Sequence, residues 1–163
     1  MELHRSLYIL TAGEPDETAP VLNELKRPLS RKGVAQVLTL LERIKEKPFP
    51  LPDLILCSPS LYVRQTLDLL HEVLGNIDTT YKDALYSAPD YRILDIVRSL
   101  DDILSHVMIL GELPGLNQFI NYACEGLKNK KLKPAQGVLI TLKDTQSWHT
   151  FGPQKTKCRS LFT

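Results

Sequence analysis

The chain has 163 residues, a formal net charge of +1, 43% hydrophobic and 24% charged side chains. That length suits one domain, residues 1–163, with a sizeable buried core, and the balance is ordinary for a globular protein. So small a net charge sets up no global field toward nucleic acid or a membrane surface. The longest apolar run is far short of the ~20 residues that span a bilayer. Met1-Glu2-Leu3-His4-Arg5-Ser6 leads straight into an apolar strand, with no basic region followed by a long apolar one, so no signal peptide is expected. Cys57, Cys124 and Cys158 are odd in number, scattered, and lack Cys-x-x-Cys spacing. They read as thiols in a reducing cytoplasm rather than as a disulfide framework or zinc site.

Taken in order, Ser6 to Leu10 is a short continuous apolar run that stops at Thr11-Ala12-Gly13-Glu14, the pattern of a buried parallel strand ending in a sharp turn. Residues 12 to 29 hold Pro15, Pro20 and Pro28 and read as a long loop, of a length usually tied to function or disorder. Ser30 caps a helix over Arg31 to Lys45, with Val34, Val37, Leu38, Leu41 and Ile44 at helical spacing. The prolines from Pro48 to Pro52 forbid its continuation. Asp53 to Cys57 is a second buried strand. Ser58-Pro59-Ser60 caps a helix over Leu61 to Leu74, closed by Gly75. Strands are expected over Ile77 to Tyr81 and His106 to Leu110, helices over Asp90 to Leu100 and Leu116 to Leu127. Lys128 to Lys133 is a basic linker. Val138 to Leu142 and Ser147 to Phe151 are expected as a closing antiparallel pair, followed by an extended segment over Cys158 to Phe162. Strands alternating with helices predict a three-layer α/β/α sandwich, its central sheet mostly parallel with an antiparallel C-terminal segment. In such sheets ligands bind outside the carboxyl ends of the strands. Three of those ends, Thr-Ala-Gly-Glu, Cys-Ser-Pro-Ser and Gly-Glu-Leu-Pro-Gly, are turns rich in small residues that would share one rim.

These turns carry a resemblance to a known family. Thr11-Ala12-Gly13-Glu14 sits where the histidine phosphatase superfamily has Arg-His-Gly-Glu after its first strand. Arg27-Pro28-Leu29-Ser30-Arg31-Lys32-Gly33 is similar to Arg-Pro-Leu-Ser/Thr-x-x-Gly. Cys57-Ser58-Pro59-Ser60-Leu61-Tyr62-Val63-Arg64-Gln65-Thr66 resembles Ser-Ser-Pro-x-x-Arg-Ala-x-Gln-Thr, and Gly111-Glu112-Leu113-Pro114-Gly115 resembles Gly-His-Asn-Pro-Gly. Order and spacing resemble the compact SixA-like phosphohistidine phosphatase branch, which implies the phosphoglycerate mutase-like fold. The resemblance also implies covalent chemistry. One histidine attacks phosphorus, while two arginines and a second histidine neutralise the phosphoryl oxygens. Carried over by position, the first arginine falls on Thr11, the nucleophile on Ala12, the second arginine on Tyr62 and the second histidine on Glu112. Every change removes a nucleophile or a cation. No catalytic residue is therefore expected.

Other residues do not restore the chemistry. Arg64 lies two positions beyond Tyr62, about 200° around a helix, and points away. Six residues separate Cys57 from Arg64, where a cysteine phosphatase loop needs five, so Cys57 reads as a buried strand end. His4, His71, His106 and His149 do not fall at the strand ends. The basic residues Lys128, Lys130, Lys131, Lys133, Lys155, Lys157 and Arg159 read as solvated faces; no aromatic stacking set accompanies them, so no nucleic-acid partner is expected. The expectation is a catalytically degenerate protein, with no cofactor, metal or membrane partner, that binds an unidentified protein or small ligand. Its candidate binding residues are Thr11, Gly13, Glu14, Ser58, Tyr62, Glu112 and Leu113, in a pocket that binds phosphate weakly. Two alternatives stay open: a weak or altered phosphatase, and a different hydrolase whose acid–base groups come from the same pocket.

Overall fold

The computed structural model describes residues 4–127, 129–143 and 146–162. Met1 to Leu3, at the head of the expected leaderless N-terminus, and Lys128 of the expected basic linker lie outside the described residues. Six strands form one sheet: β1 (Ser6–Thr11), β2 (Leu54–Cys57), β3 (Thr79–Tyr81), β4 (His106–Gly111), β5 (Gly137–Leu142) and β6 (Thr156–Leu161). Their order is β3-β2-β4-β1-β5-β6. The first four neighbours pair in parallel, and β5 runs antiparallel to both β1 and β6. The expected fold class is the one observed.

Four helices cover the two faces. They are α1 (Arg31–Glu46), α2 (Leu61–Leu74), α3 (Asp90–Arg98) and α4 (Gly115–Ala123). The alternation of β1 separates two cores. Leu7 and Ile9 pack with Ile93, Val97, Phe119 and Ile120 of α3 and α4. Tyr8, Leu10 and Ala12 pack with Val37, Leu40, Val63 and Leu67 of α1 and α2. A strand buried on both faces needs the continuous apolar run that its sequence shows. No described helix is long and apolar enough to cross a membrane.

The face that α1 buries differs from expectation. Gly33, Val37, Leu40, Leu41 and Ile44 point inward, while Val34 and Leu38 are 36% and 48% exposed. The cause is the close approach of Gly33 to the turn after β1. A Cβ on Gly33 would stand 2.2 Å from the Glu14 carbonyl oxygen. Turning Gly33 toward that backbone carries the stripe of residues 37, 40 and 44 into the core and swings Val34 outward. Ser30 caps α1 as expected, accepting the Gly33 N–H at 2.8 Å.

The closing segment also departs from expectation. Ser147 to Phe151 is no strand. Ser147 caps a short 3-10 turn, Trp148–Thr150, and donates its hydroxyl to Asp102. The buried Trp148 indole N–H donates to the Leu104 carbonyl at 2.9 Å. A large side chain anchored this way behind α3 cannot alternate along a sheet edge. The partner of β5 is β6, within and beyond the expected extended segment. Helix α4 stops at Ala123, and Glu125–Leu127 continues only as a 3-10 turn.

The cysteine reading is corrected. Cys124 and Cys158 form a disulfide with Cα atoms 5.8 Å apart, across 34 residues of sequence. Cys124 ends α4 and Cys158 lies on β6, so the fold brings together residues whose spacing carries no signal. The inference of a reducing compartment loses its basis. Cys57 is the free cysteine, fully buried at the end of β2. Burial pushes its thiol up to about 12, with the nearby Arg64 charge opposing by less. Closing a loop of that length stabilises the fold by about 4 kcal/mol in chain-entropy terms, and measured values are often smaller. We expect Cys158→Ser to lower unfolding free energy by about 2–4 kcal/mol. An aromatic disulfide reagent should titrate no thiol in the native chain and one after unfolding without reductant. Three thiols after unfolding would contradict the disulfide, and one reactive thiol in the native chain would contradict the burial of Cys57.

Candidate functional site

The C-terminal ends of three strands meet in register. Thr11 of β1 lies opposite Gly111 of β4, and Cys57 of β2 opposite Leu110. Just beyond them the chain continues as Ala12, Glu112 and Ser58. The Ala12 N–H donates to the Gly111 carbonyl and the Ser58 N–H to the Leu110 carbonyl, both at 3.1 Å. Above these ends lies a cavity of about 220 Å³ whose lining includes Thr11 to Pro15, Glu17, Tyr62, Gly111 to Leu113 and Pro134. It brings together six of the seven expected binding residues. Ser58 is fully buried beside the cavity and reaches it through Glu112.

Glu112 is the electrostatic centre. Its Oε1 accepts the Ser58 hydroxyl and, at 2.8 Å, the Ser60 hydroxyl. Both serines are essentially buried. Ser60 occupies the N-cap of α2 but makes no capping hydrogen bond, because its hydroxyl is turned to the carboxylate instead. Tyr62 is held above the usual tyrosine range, first by burial, then by the charge of Glu112 and its hydrogen bond to that carboxylate, with Glu17 adding in the same sense. The phenol therefore stays neutral and donates. Three hydroxyls therefore converge on one carboxylate as donors.

Thr11 faces a different task. Its hydroxyl lies 2.6 Å from the Lys133 carbonyl, as donor, and accepts the Gln136 N–H at 3.1 Å. With the Ala135 N–H donating to the Ala12 carbonyl, it clasps the 133–136 loop to the end of β1. Ala12 is buried among the side chains of α1 and α2 and offers no polar atom. Glu14 is half-buried and lies 3.6 Å from Lys32, a mostly exposed pair that contributes little.

The loop over residues 12 to 29 is tied down by the rest of the motif residues. Arg27 makes a bidentate pair with Glu24 and donates to the Asp16 carbonyl at 2.7 Å. Gln65 of α2 accepts the Leu29 N–H at 2.8 Å, Thr66 accepts the Gly13 N–H at 3.2 Å, and Gln36 accepts the Glu14 N–H at 3.0 Å. Gly115 opens α4 where a Cβ would stand 1.9 Å from the Ala88 carbonyl oxygen. Each of these residues positions backbone at the rim.

Pro15, Glu17, Gly111 and Pro134 also line the cavity and are not among the candidate residues. Glu17 follows Glu14 by three positions in the loop, so a third acidic residue near the first strand was a readable signal. Pro134 comes from a distant segment with no local signal. Arg64 points away from the cavity, its guanidinium 4.6 Å above the Tyr81 ring, a cation–π contact. His149 has its Nδ1 2.6 Å from the Arg98 carbonyl oxygen, and His71 and His106 lie in α2 and at the start of β4, all outside the cavity lining. Among the described residues no group of three or more His, Cys, Asp or Glu side chains is placed to hold a metal ion.

No protein-family model matches the sequence, and no curated protein does. Solved structures do match. A protein described as a phosphohistidine phosphatase SixA from Nakamurella multipartitia superposes with a TM-score of 0.78 at 18% identity, over 96% of this chain and 94% of that one. A SixA counterpart from Agrobacterium tumefaciens gives 0.75 at 21% identity, over 85% and 92%. The protein histidine phosphatase SixA in complex with tungstate gives 0.75 at 15% identity, over 96% of each chain.

The fold is that of the SixA histidine phosphatases.

At these identities the likeness is one of fold. Within that fold, the cavity at the strand ends is lined by three glutamates, and no Lys, Arg or His is among the lining residues described. The hydroxyl cluster makes a direct expectation. Glu112→Leu leaves the Ser58 and Ser60 hydroxyls buried without their acceptor, each at a cost of about 1–3 kcal/mol. Denaturant unfolding should show Glu112→Leu less stable by about 2–4 kcal/mol and Glu112→Gln, which keeps an acceptor oxygen, by about 1 kcal/mol or less. Equal stability of Glu112→Leu and the native chain would mean the carboxylate does not organise this turn.

Proposed function

We propose that the chain is a pseudophosphatase, a SixA-type fold that acts by binding a protein or small-molecule ligand and no longer transfers phosphoryl groups. The observation that carries this reading is the composition of the strand-end cavity: Ala12, Tyr62 and three glutamates, with no cation among the described lining residues. Phosphoryl transfer through a phosphohistidine requires a nucleophilic nitrogen and cations around the equatorial oxygens. Ala12 has no nucleophilic atom. Removing one anion-stabilising donor typically costs about 2.7–4 kcal/mol in the transition state. Two such losses amount to about 5–8 kcal/mol, roughly four to six decades in rate.

Binding of the ground-state anion is opposed too. A SixA structure contains tungstate, a tetrahedral dianion. A carboxylate about 4 Å from such a ligand disfavours each unit of its charge by about 4 kcal/mol at an effective dielectric constant of about 20, roughly a thousandfold in affinity. Glu112 is the carboxylate best placed to exert this, because the Ser58, Ser60 and Tyr62 hydroxyls fix it at the strand ends, on the cavity lining. The same hydroxyls would otherwise be free to serve an incoming oxyanion. Residual phosphatase activity is the competing reading.

An assay on a phosphohistidine protein and on p-nitrophenyl phosphate separates the two. The native chain should show no turnover above buffer. Thr11→Arg, Ala12→His, Tyr62→Arg and Glu112→His introduced together should create it. Because Thr11 clasps the 133–136 loop, the triple variant that keeps Thr11 is assayed alongside. Native turnover that persists through successive purification steps would overturn the pseudophosphatase reading. Folded variants that both stay inactive would overturn the assignment of this cavity as the remnant of a phosphatase site.

A further inference from the structure

A second cavity, of about 350 Å³, lies between the end of α1, the Pro48–Phe49 segment and β6, on the face covered by α1 and α2. Arg43, Lys47 and Arg159 line it. Among the described residues no carboxylate lies within ion-pairing distance of any of the three, and the ion pairs found there involve other side chains. Glu46 shares the groove without pairing to them. Arg43 donates one N–H to the Phe162 carbonyl at 2.7 Å, which fixes its guanidinium at the mouth, and its other N–H groups make no further hydrogen bond among the described residues. In a chain of net charge +1, three cations against the single carboxylate of Glu46 around one concavity, none of them ion-paired among the described residues, are a local excess. A half-enclosed positive groove concentrates anions, and guanidinium groups give charge-assisted hydrogen bonds to carboxylate or phosphate.

The walls add a second requirement. Phe49 and Phe162 both line the groove and are half-buried, with ring centroids 5.2 Å apart at 59°. Phe49 rests on Tyr8 beneath it, centroids 5.0 Å apart. The rings are therefore braced from below, and the parts left open form a rigid apolar wall beside the cations. Inorganic phosphate would satisfy the charges and leave that wall wet. A neutral ring would cover the wall and leave the charges unmet. The volume is within the range of small-ligand sites.

We propose that this groove binds a small anion carrying a flat ring, of the size and chemistry of a nucleoside monophosphate or an aromatic carboxylate. The anionic group meets Arg159, Lys47 and the other donors of Arg43, and the ring lies against Phe49 and Phe162. This site is separate from the strand-end cavity and independent of how that cavity is read.

Calorimetric titration of the full chain at low ionic strength tests it, with AMP and 2-naphthoate as ring-bearing anions, adenosine as the ring without the charge, and inorganic phosphate as the charge without the ring. At least one ring-bearing anion should bind tenfold or more tighter than both adenosine and phosphate. Arg159→Gln and Lys47→Gln should each weaken that binding about tenfold. Arg92→Gln, the same charge change on the exposed side of α3, should leave it unchanged. The proposal is overturned if neither ring-bearing anion binds, if binding is no tighter than that of phosphate, or if it survives Arg159→Gln and Lys47→Gln.

Discussion

The Glu14 carbonyl oxygen stands where a side chain on Gly33 would have to begin. That contact seats the first turn of α1 directly against the chain leaving β1, and much else follows from it. The same carbonyl accepts the Ser30 N–H and hydroxyl, so the residue that caps α1 also fixes the turn. Gln36 and Thr66 then hold the neighbouring N–H groups of Glu14 and Gly13. Backbone polar groups in so tight a turn cannot reach water, and every one given a partner removes a desolvation cost. The rim of the cavity is thus rigid before any functional side chain is considered.

A division of labour among the motif residues emerges. Arg27, Ser30, Gly33, Gln65, Thr66 and Gly115 match the histidine phosphatase pattern, and each packs against or hydrogen-bonds backbone at the rim. Thr11, Ala12, Tyr62 and Glu112 depart from it. Ala12, Tyr62 and Glu112 change what the cavity offers a ligand, while Thr11 has turned to a clasp. The backbone framework of the rim is held by the matching residues, and on the reading proposed above the departures remove the charges that phosphoryl transfer needs. Glu112 meets hydroxyl donors rather than a cation among the described residues, and Glu14 and Glu17 line the same cavity.

The layered fold and the rim were legible in the sequence because they rest on local signals. An apolar run such as Leu7 to Leu10, a cap such as Ser30, and small-residue turns at three strand ends each state their structure within a few residues. What was not legible depends on contacts between distant segments. The inward face of α1 is chosen by Gly33 meeting Glu14, which rotates Val34 and Leu38 outward although their spacing fits a core stripe. The pattern around Trp148 predicts a strand, but its indole is buried and bonded to the Leu104 carbonyl, and the segment forms a 3-10 turn. Cys124 and Cys158 are joined only because α4 ends beside the sheet edge. Of the site, six cavity residues could be named from motif position, but not that Ser58 and Ser60 would serve Glu112, nor that Thr11 would be spent on the 133–136 loop.

The central claim is the proposal that the strand-end cavity disfavours a tetrahedral oxyanion of the kind bound in a SixA structure. The most direct measurement is the affinity of the native chain for tungstate at neutral pH, compared with Glu112→His and with Tyr62→Arg/Glu112→His. The account predicts no detectable binding to the native chain, and binding that appears and strengthens as the carboxylate is removed and cations are added. Tight binding of tungstate by the native chain, undiminished beside the variants, would contradict it.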